Sequence, residues 1–457
     1  MPPYARGIAA RSRRARPCAN AAYPEAVNGP ATRTTPVVAD VVTAVRRALD
    51  GGPAVVPLPR LGDGPLPAGT ALVVRTSGST GTPREVALGA AALRASATAT
   101  HERLGGPGRW VLALPATHVA GLQVVVRSVL AGTPLTAADP ADRFTPDGLA
   151  GLLEPLVGRS HDPVYVSLVP TQLHRLVAAA DDGAPRGLAA LARCSAVLLG
   201  GSATPEPLLR RARDAGVTVV TTYGMSETAG GCVYDGVPLQ GVRLRVTPAP
   251  YPAAGQLEAT AGGHGHGMTG VIEIAGPTLA LGYVGDVAAS AAAFRTDDSG
   301  PEAGTRWFRT SDLGSMGPDG VLRVLGRVDD VVITGGVNVA PAAVEAVLAD
   351  GFGEACVVGV HDDEWGQALV AVFATAGSAP DDGRHGLLPV SPDELERVRA
   401  AVGARLGAAS APRRVYRAAV LPHRGPGKVD RAAVAALVQA HEGDPSNTGR
   451  RSAPSSA

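Results

Sequence analysis

Lys428 is the only lysine among the 42 Lys and Arg residues of the chain. Arginine fills every other basic role, so this position reads as one that needs a compact ammonium rather than a planar guanidinium. The alternative is that a lone lysine must fall somewhere, and an exposed lysine is ordinarily a solubilising charge. Four further segments carry residue types that suit phosphate, base and ribose. Residues 75–86, RTSGSTGTPREV, follow an apolar run with small and hydroxyl-bearing side chains. There the N–H groups and hydroxyls of Thr76, Ser77, Gly78, Ser79, Thr80 and Gly81 can surround phosphate oxygens. The spacing is not that of a Walker loop, and a Gly/Ser/Thr run by itself is also a plain loop.

Residues 223–228, YGMSET, place an aromatic at a strand end, where it can stack on a base. Glu227, a few residues on, can hold Mg²⁺ beside phosphates; helix capping by Ser226 or Thr228 is the alternative. In WFRTSDLG, residues 307–314, an ionised Asp312 can accept from both hydroxyls of a ribose or simply serve a turn. In GRVDDVVITGGVNVAP, residues 326–341, Arg327 suits a nucleotide contact and Gly335 and Gly336 suit a backbone passing close to a ligand. A charged pair such as Arg327 and Asp329 is also ordinary solvated surface.

These segments must be held by a scaffold, and the apolar pattern indicates which. VVADVVTAVRRAL has helical spacing, whereas ALVVRTSG reads as a short strand entering a turn. WVLALP, VYVSLVP, SAVLLGG and VTVVTTYG are apolar strands, with helical LAALARC and PEPLLRRARDAG among them. Strands alternating with helices predict α/β architecture with a largely parallel sheet. From Leu239 to Phe308 the strands VRLRVT, GQLEAT and GVIEIAG alternate between Gly-rich turns, which predicts a small antiparallel sheet. After Gly326 the pattern returns to mixed strand and helix, as expected of a separate α+β domain.

Composition sets the outer limits. With 457 residues, 45% hydrophobic and 18% charged, the chain should form two or three globular domains. A net charge of +1 offers no electrostatic case for nucleic acid or a membrane surface. Cys18, Cys194, Cys232 and Cys356 show no CxxC spacing, so neither disulfides nor zinc are expected, and a reducing cytoplasm fits. No apolar run approaches the ~20 residues of a membrane span. The expected organisation is a disordered extension over 1–37, a large domain over 38–328, a small mobile domain over 329–441 and a disordered tail over 442–457. The Arg-rich start lacks the apolar stretch of a secretory signal.

Taken together and in this order, the motifs resemble the adenylate-forming (acyl-CoA synthetase) superfamily over about residues 70 to 435. The resemblance implies ATP, Mg²⁺ and coenzyme A as cofactor and co-substrates, and a carboxylic acid as substrate. It gives the phosphate loop, from Thr76 to Thr82, to the leaving phosphates, with Arg84 where the family usually has lysine. Gly200, Gly201 and Ser202 would lie beside adenine, Tyr223 over it, and Gly224 and Met225 in the same nucleotide motif. Thr228 would approach the α-phosphate, Glu227 and Thr80 would hold Mg²⁺, and Asp312 and Arg327 would contact the nucleoside. Ser311 replaces the family's more common glycine. Asp329 would be the hinge, Gly335 and Gly336 would line the pantetheine passage, and Lys428 would carry adenylation.

The early phosphate loop marks a compact member and resembles the o-succinylbenzoate–CoA ligases of menaquinone synthesis. Residues 114–128, LPATHVAGLQVVVRS, and 166–176, VSLVPTQLHRL, support that comparison. By it His118 and Thr171 would line the acid pocket. Arg127, inside an apolar run, needs a partner, which a substrate's second carboxylate can supply. An internal acid or an exposed helix face are the alternatives, and Thr171 with Gln172 can equally cap a helix. Another aryl- or short-chain acid ligase shares every nucleotide motif, and a non-catalytic nucleotide-binding relative is the reading from a different class. Oligomeric state is left open.

Overall fold

The computed structural model describes residues 36–76, 83–158, 162–248, 268–374, 386–423 and 429–443. The first helix, Pro36–Leu49, and the last, Arg431–Gly443, each reach two residues past the limits expected for the folded part.

A seven-stranded sheet runs in the order Thr136–Ala137, Arg109–Leu112, Val164–Leu168, Ala196–Leu199, Val219–Met225, Gly230–Tyr234, Val237–Pro238. Neighbours are parallel as far as Val219–Met225 and antiparallel beyond it. Successive strand residues feed opposite faces, as a period of two requires. Trp110, Tyr165 and Leu198 enter one core with Leu122 and Tyr234. Val111, Val166 and Val197 enter another with Leu153, Leu173 and Leu209. Burial on both faces explains why these strands read as unbroken apolar runs.

The strand expected ahead of the phosphate loop is present, and it lies in a separate antiparallel sheet. Thr70–Thr76 is one arm of an antiparallel pair with Arg84–Gly89, with Thr76 opposite Arg84. The short Gly282–Tyr283 strand completes this sheet on the far side of Arg84–Gly89.

The expected antiparallel sheet is present, with five strands: Arg243–Thr247, Met268–Ala275, Phe294–Thr296, Arg306–Met316 and Leu322–Arg327. It extends past Phe308 because Arg306–Met316 continues through Asp312 and pairs with Leu322–Arg327. GQLEAT lies outside the described residues.

From Val332 onward a six-stranded sheet is built on Gly366–Ala374, flanked by Ala355–Asp362 antiparallel and Arg414–Ala418 parallel. Val344 and Leu348 of the Pro341–Ala349 helix and Val398 and Val402 of Pro392–Leu406 cover one face. Val434 and Val438 of Arg431–Gly443 cover the other. Ser391 caps Pro392–Leu406 by accepting from the Glu394 N–H. Among the described residues, no helix is long and apolar enough to cross a membrane.

Candidate active site

The carboxyl ends of Ala196–Leu199 and Val219–Met225 lie side by side, and in open α/β sheets ligands gather at such ends. Gly200 follows the first of them. A Cβ there would lie 2.3 Å from Thr222 Oγ1, so only glycine permits the approach. Gly201 and Ser202 are exposed next to it.

Val219–Met225 then turns back as Gly230–Tyr234, and the turn is the centre of the site. A Cβ on Gly224 would lie 2.1 Å from the Gly230 carbonyl oxygen, so the two strands can cross this closely only at glycine. Ser226–Thr228 form a single 3-10 turn, and Ala229 adopts a left-handed conformation with φ 52°. That conformation is unfavourable for alanine and must be held by its surroundings. Two side chains hold it: Gln123 Nε2 donates to the Ala229 carbonyl at 2.6 Å and Ser96 Oγ at 3.1 Å. Thr228 Oγ1 accepts from the Met225 N–H at 3.0 Å and donates to the Gly230 carbonyl at 2.8 Å.

Glu227 is buried inside this turn. Its Oε1 accepts from the Tyr283 hydroxyl at 3.0 Å. Burial pushes the Glu227 carboxyl above the ordinary carboxylate value, and the Tyr283 hydrogen bond works against that shift. The arrangement favours whatever brings a compensating positive charge. Among the described residues no three His, Cys, Asp or Glu side chains gather to hold an ion by themselves. One carboxylate completed by substrate phosphates is the usual pattern for Mg²⁺, and Glu227 fits it.

Asp312 reaches the same region from the Arg306–Met316 strand. Its Oδ2 accepts from the Tyr223 hydroxyl at 2.7 Å and its Oδ1 from Arg327 Nη1 at 3.1 Å. Arg327, opposite Asp312 in the strand register, also donates to Asp329 Oδ2 at 3.3 Å. Burial first, then the Asp312 charge, raises the Tyr223 phenol well above its ordinary value, in keeping with its role as the donor to Asp312. Direct hydrogen bonds thus link Tyr223, Asp312, Arg327 and Asp329.

The residues expected at the acid pocket lie on two helices. His118 is the residue before Val119–Ala131; its surface is exposed, and partial desolvation lowers its pKa. Arg127 is on the same helix and 4% exposed, which excludes the exposed helix face. It donates through Nη2 to the Tyr234 hydroxyl at 3.2 Å, and its guanidinium lies 5.0 Å from the Trp110 ring centre. Among the described residues no carboxylate forms an ion pair with it, and its Nε has no hydrogen-bond partner. Trp110 Nε1 donates to His101 Nε2 at 3.2 Å, and burial, then the Arg127 charge, push His101 down to about 4. Thr171 is half-buried in the first turn of Pro170–Asp181. Its neighbour Gln172 caps that helix, accepting from the Val169 N–H at 3.0 Å and donating to the Ala113 carbonyl at 2.9 Å.

Gly335 and Gly336 have φ of 55° and 80°, a conformation that favours glycine. The Gly335 N–H donates to the Trp365 carbonyl at 3.0 Å, and a Cβ would meet the Trp365 ring at 2.5 Å. Thr76 Oγ1 lies 3.4 Å from the Arg84 N–H at the mouth of the phosphate loop. Ser77, Gly78, Ser79, Thr80, Gly81 and Lys428 lie outside the described residues.

Sequence reasoning missed Tyr283, Gln123 and Ser96. Tyr283 sits in GPTLALGYVGD, where nothing in the residue pattern signals chemistry. Gln123 offered a weak signal, as an uncharged polar side chain within the apolar run that also contains Arg127.

Comparison with known proteins fits this geometry. The family model described as AMP-binding enzyme matches residues 21–284, and the one described as AMP-binding enzyme C-terminal domain matches residues 343–428. A probable 2-succinylbenzoate–CoA ligase of Mycobacterium tuberculosis is 42% identical over 409 residues, 86% of this chain and 94% of that protein. A 2-succinylbenzoate–CoA ligase of Geobacillus kaustophilus is 32% identical over 389 residues, 80% of this chain and 69% of that one. Among solved structures, o-succinylbenzoate CoA synthetase of Bacillus subtilis with its acyl-adenylate intermediate superposes with a TM-score of 0.61 at 26% identity, covering 80% of this chain and 69% of that one. ATP-bound MatB of Rhodopseudomonas palustris gives a TM-score of 0.63 at 24% identity, covering 81% and 68%, a likeness of fold.

Proposed function

Because the chain belongs to the AMP-binding enzyme family, we propose that it is an AMP-forming 2-succinylbenzoate–CoA ligase, serving menaquinone synthesis. The observation that carries this reading is the 42% identity to a ligase of that name over 94% of its length. The hydrogen-bonded set of Tyr223, Asp312 and Arg327, together with the buried Glu227 held by Tyr283, supports the nucleotide half of the chemistry.

A carboxylate oxygen of the acid attacks the α-phosphorus of ATP, and the bond to pyrophosphate breaks. Asp312 accepts from the ribose, Arg327 holds that carboxylate in place, and Tyr223 flanks the base beside Gly200, Gly201 and Ser202. Thr228 stands at the α-phosphate, held by its own backbone hydrogen bonds. Glu227 and Thr80 would hold Mg²⁺, which when bound neutralises charge on the phosphates. Lys428 supplies a cation to the reacting oxygens, and the loop from Thr76 to Thr82 receives the leaving phosphates.

The thiol sulfur of coenzyme A then attacks the acyl carbon, and the bond to AMP breaks. For this step the domain from residue 329 onward turns about Asp329, withdrawing Lys428 and bringing Gly335 and Gly336 to the pantetheine. The acid lies near His118 and Thr171. Its unreacted carboxylate supplies Arg127 with the counter-charge that the described residues do not, once the side chains enclosing Arg127 make room. A reducing cytoplasm suits Cys194, Cys232 and Cys356, which are free and buried.

ATP–pyrophosphate exchange over a panel of acids tests the proposal. Exchange dependent on 2-succinylbenzoate supports it, and exchange driven only by monocarboxylic acids overturns the substrate assignment.

A further inference from the structure

Tyr283 joins two parts of the site that the mechanism uses separately. It belongs to the short strand beside Arg84–Gly89, with Tyr283 opposite Val86. Its position is fixed from two sides. The backbone N–H donates to Ser290 Oγ at 2.9 Å, and the ring packs against Phe294 with centres 6.0 Å apart. The side chain is nearly enclosed, and its hydroxyl donates to Glu227 Oε1. The guanidinium of Arg84, the first residue of the strand that leaves the phosphate loop, lies 5.2 Å from the ring centre. One aromatic side chain therefore spans from that strand to the buried carboxylate.

The chemistry of the donor matters. An arginine or lysine in place of Tyr283 would neutralise Glu227 and compete with a cation for it. A phenol is a neutral donor: it fixes one oxygen of the carboxylate and leaves the negative charge in place. Among the described residues no other side chain hydrogen-bonds the Glu227 carboxylate. Ligating carboxylates depend on such outer hydrogen bonds for their orientation. A cation over the ring face adds an attraction of its own, which ties Tyr283 to Arg84.

We propose that Tyr283 is a positioning residue for the divalent cation, orienting Glu227 through its hydroxyl and held against the strand Arg84–Gly89 by the Arg84 guanidinium. This rests on the reading of Glu227 as an ion ligand. The test is Tyr283→Phe in the full-length chain, which keeps the ring and removes only the donor. Mn²⁺ is the probe, titrated by electron paramagnetic resonance in the presence of ATP and without acid. AMP binding, measured by calorimetry without metal, reports on the rest of the nucleotide site.

The expected result is a Mn²⁺ dissociation constant raised about 10- to 100-fold, with AMP affinity unchanged. Glu227→Gln, measured alongside, should weaken Mn²⁺ at least as much. Weakening in Glu227→Gln with wild-type Mn²⁺ affinity in Tyr283→Phe overturns the positioning role alone. Wild-type Mn²⁺ affinity in both variants overturns the ion site at Glu227 and the positioning role with it. Loss of AMP and Mn²⁺ binding together in Tyr283→Phe assigns the residue to packing and also overturns the proposal.

Discussion

Tyr223 donates its hydroxyl proton to Asp312 Oδ2 at 2.7 Å, joining residues 89 positions apart, while Arg327 donates to the other carboxylate oxygen. Asp312 is thereby held from both sides, by a neutral donor and by a cation. The pair also ties the parallel sheet to the antiparallel one, since Tyr223 ends a strand of the first and Asp312 sits within a strand of the second.

Asp312→Asn should therefore weaken ATP while leaving the fold in place. Hydrogen bonds to a charged group contribute roughly 1.5–3 kcal/mol, so the KM for ATP in adenylate formation should rise about 10- to 100-fold. An unchanged KM would remove Asp312 from the nucleotide site.

Gly224→Ala should destabilise the whole turn that carries Glu227 and Thr228. The added Cβ meets the Gly230 carbonyl oxygen at 2.1 Å, and the strand crossing must open to admit it. Overpacking of this kind costs about 1–3 kcal/mol, readable as a lower midpoint in denaturant unfolding. A wild-type midpoint would mean that the crossing is looser than described.

Arg127→Met separates packing from recognition. Replacing a buried cation that lacks an acidic partner by an apolar side chain should leave stability equal or higher. If Arg127 receives the second carboxylate, the kcat/KM for 2-succinylbenzoate should fall while that for a monocarboxylic acid holds. Equal effects on both acids would confine Arg127 to the contacts with Trp110 and Tyr234.

His101 should make the protein acid-sensitive. Its folded pKa is pushed to about 4 from an ordinary value of 6.5, so the native state favours the neutral ring. The stability that depends on the neutral ring is complete above 6.5 and is lost as pH falls from 6.5 towards 4. Unfolding free energies measured across that window should decline less in His101→Gln than in the wild type. The slope should also lessen in Arg127→Met, because removing the neighbouring cation lets His101 protonate more readily in the fold. Identical slopes in all three proteins would contradict the assignment.

Much of the scaffold was legible because its signals are local. Apolar runs such as VYVSLVP and SAVLLGG bury both faces and became strands of the parallel sheet, and PDELERVRAAVGARLG became the helix Pro392–Leu406. Glu227 and Asp312 stood out locally only as candidates, with a helix cap and a turn aspartate as the alternatives, and their nucleotide roles came from the order of all the motifs together. What was not legible depends on distant pairing. Tyr283 reaches Glu227 across 56 positions and Arg127 reaches Tyr234 across 107. The strand ending at Thr76 gave no local sign that its partner is Arg84–Gly89 rather than a parallel strand. Arg127 was recognised as a charge needing company, but the enclosure by Trp110, Tyr234 and His101 comes from separate elements that no spacing rule connects.

The most direct test of the central claim is formation of 2-succinylbenzoyl-CoA from the acid, ATP, Mg²⁺ and coenzyme A, in the wild type and in Lys428→Ala. The account predicts thioester and AMP in equal amounts from the wild type, and adenylate formation lost in Lys428→Ala while an adenylate supplied ready-made is still converted to thioester. No thioester from the wild type with this acid, or a Lys428→Ala variant that forms the adenylate at the wild-type rate, would contradict it.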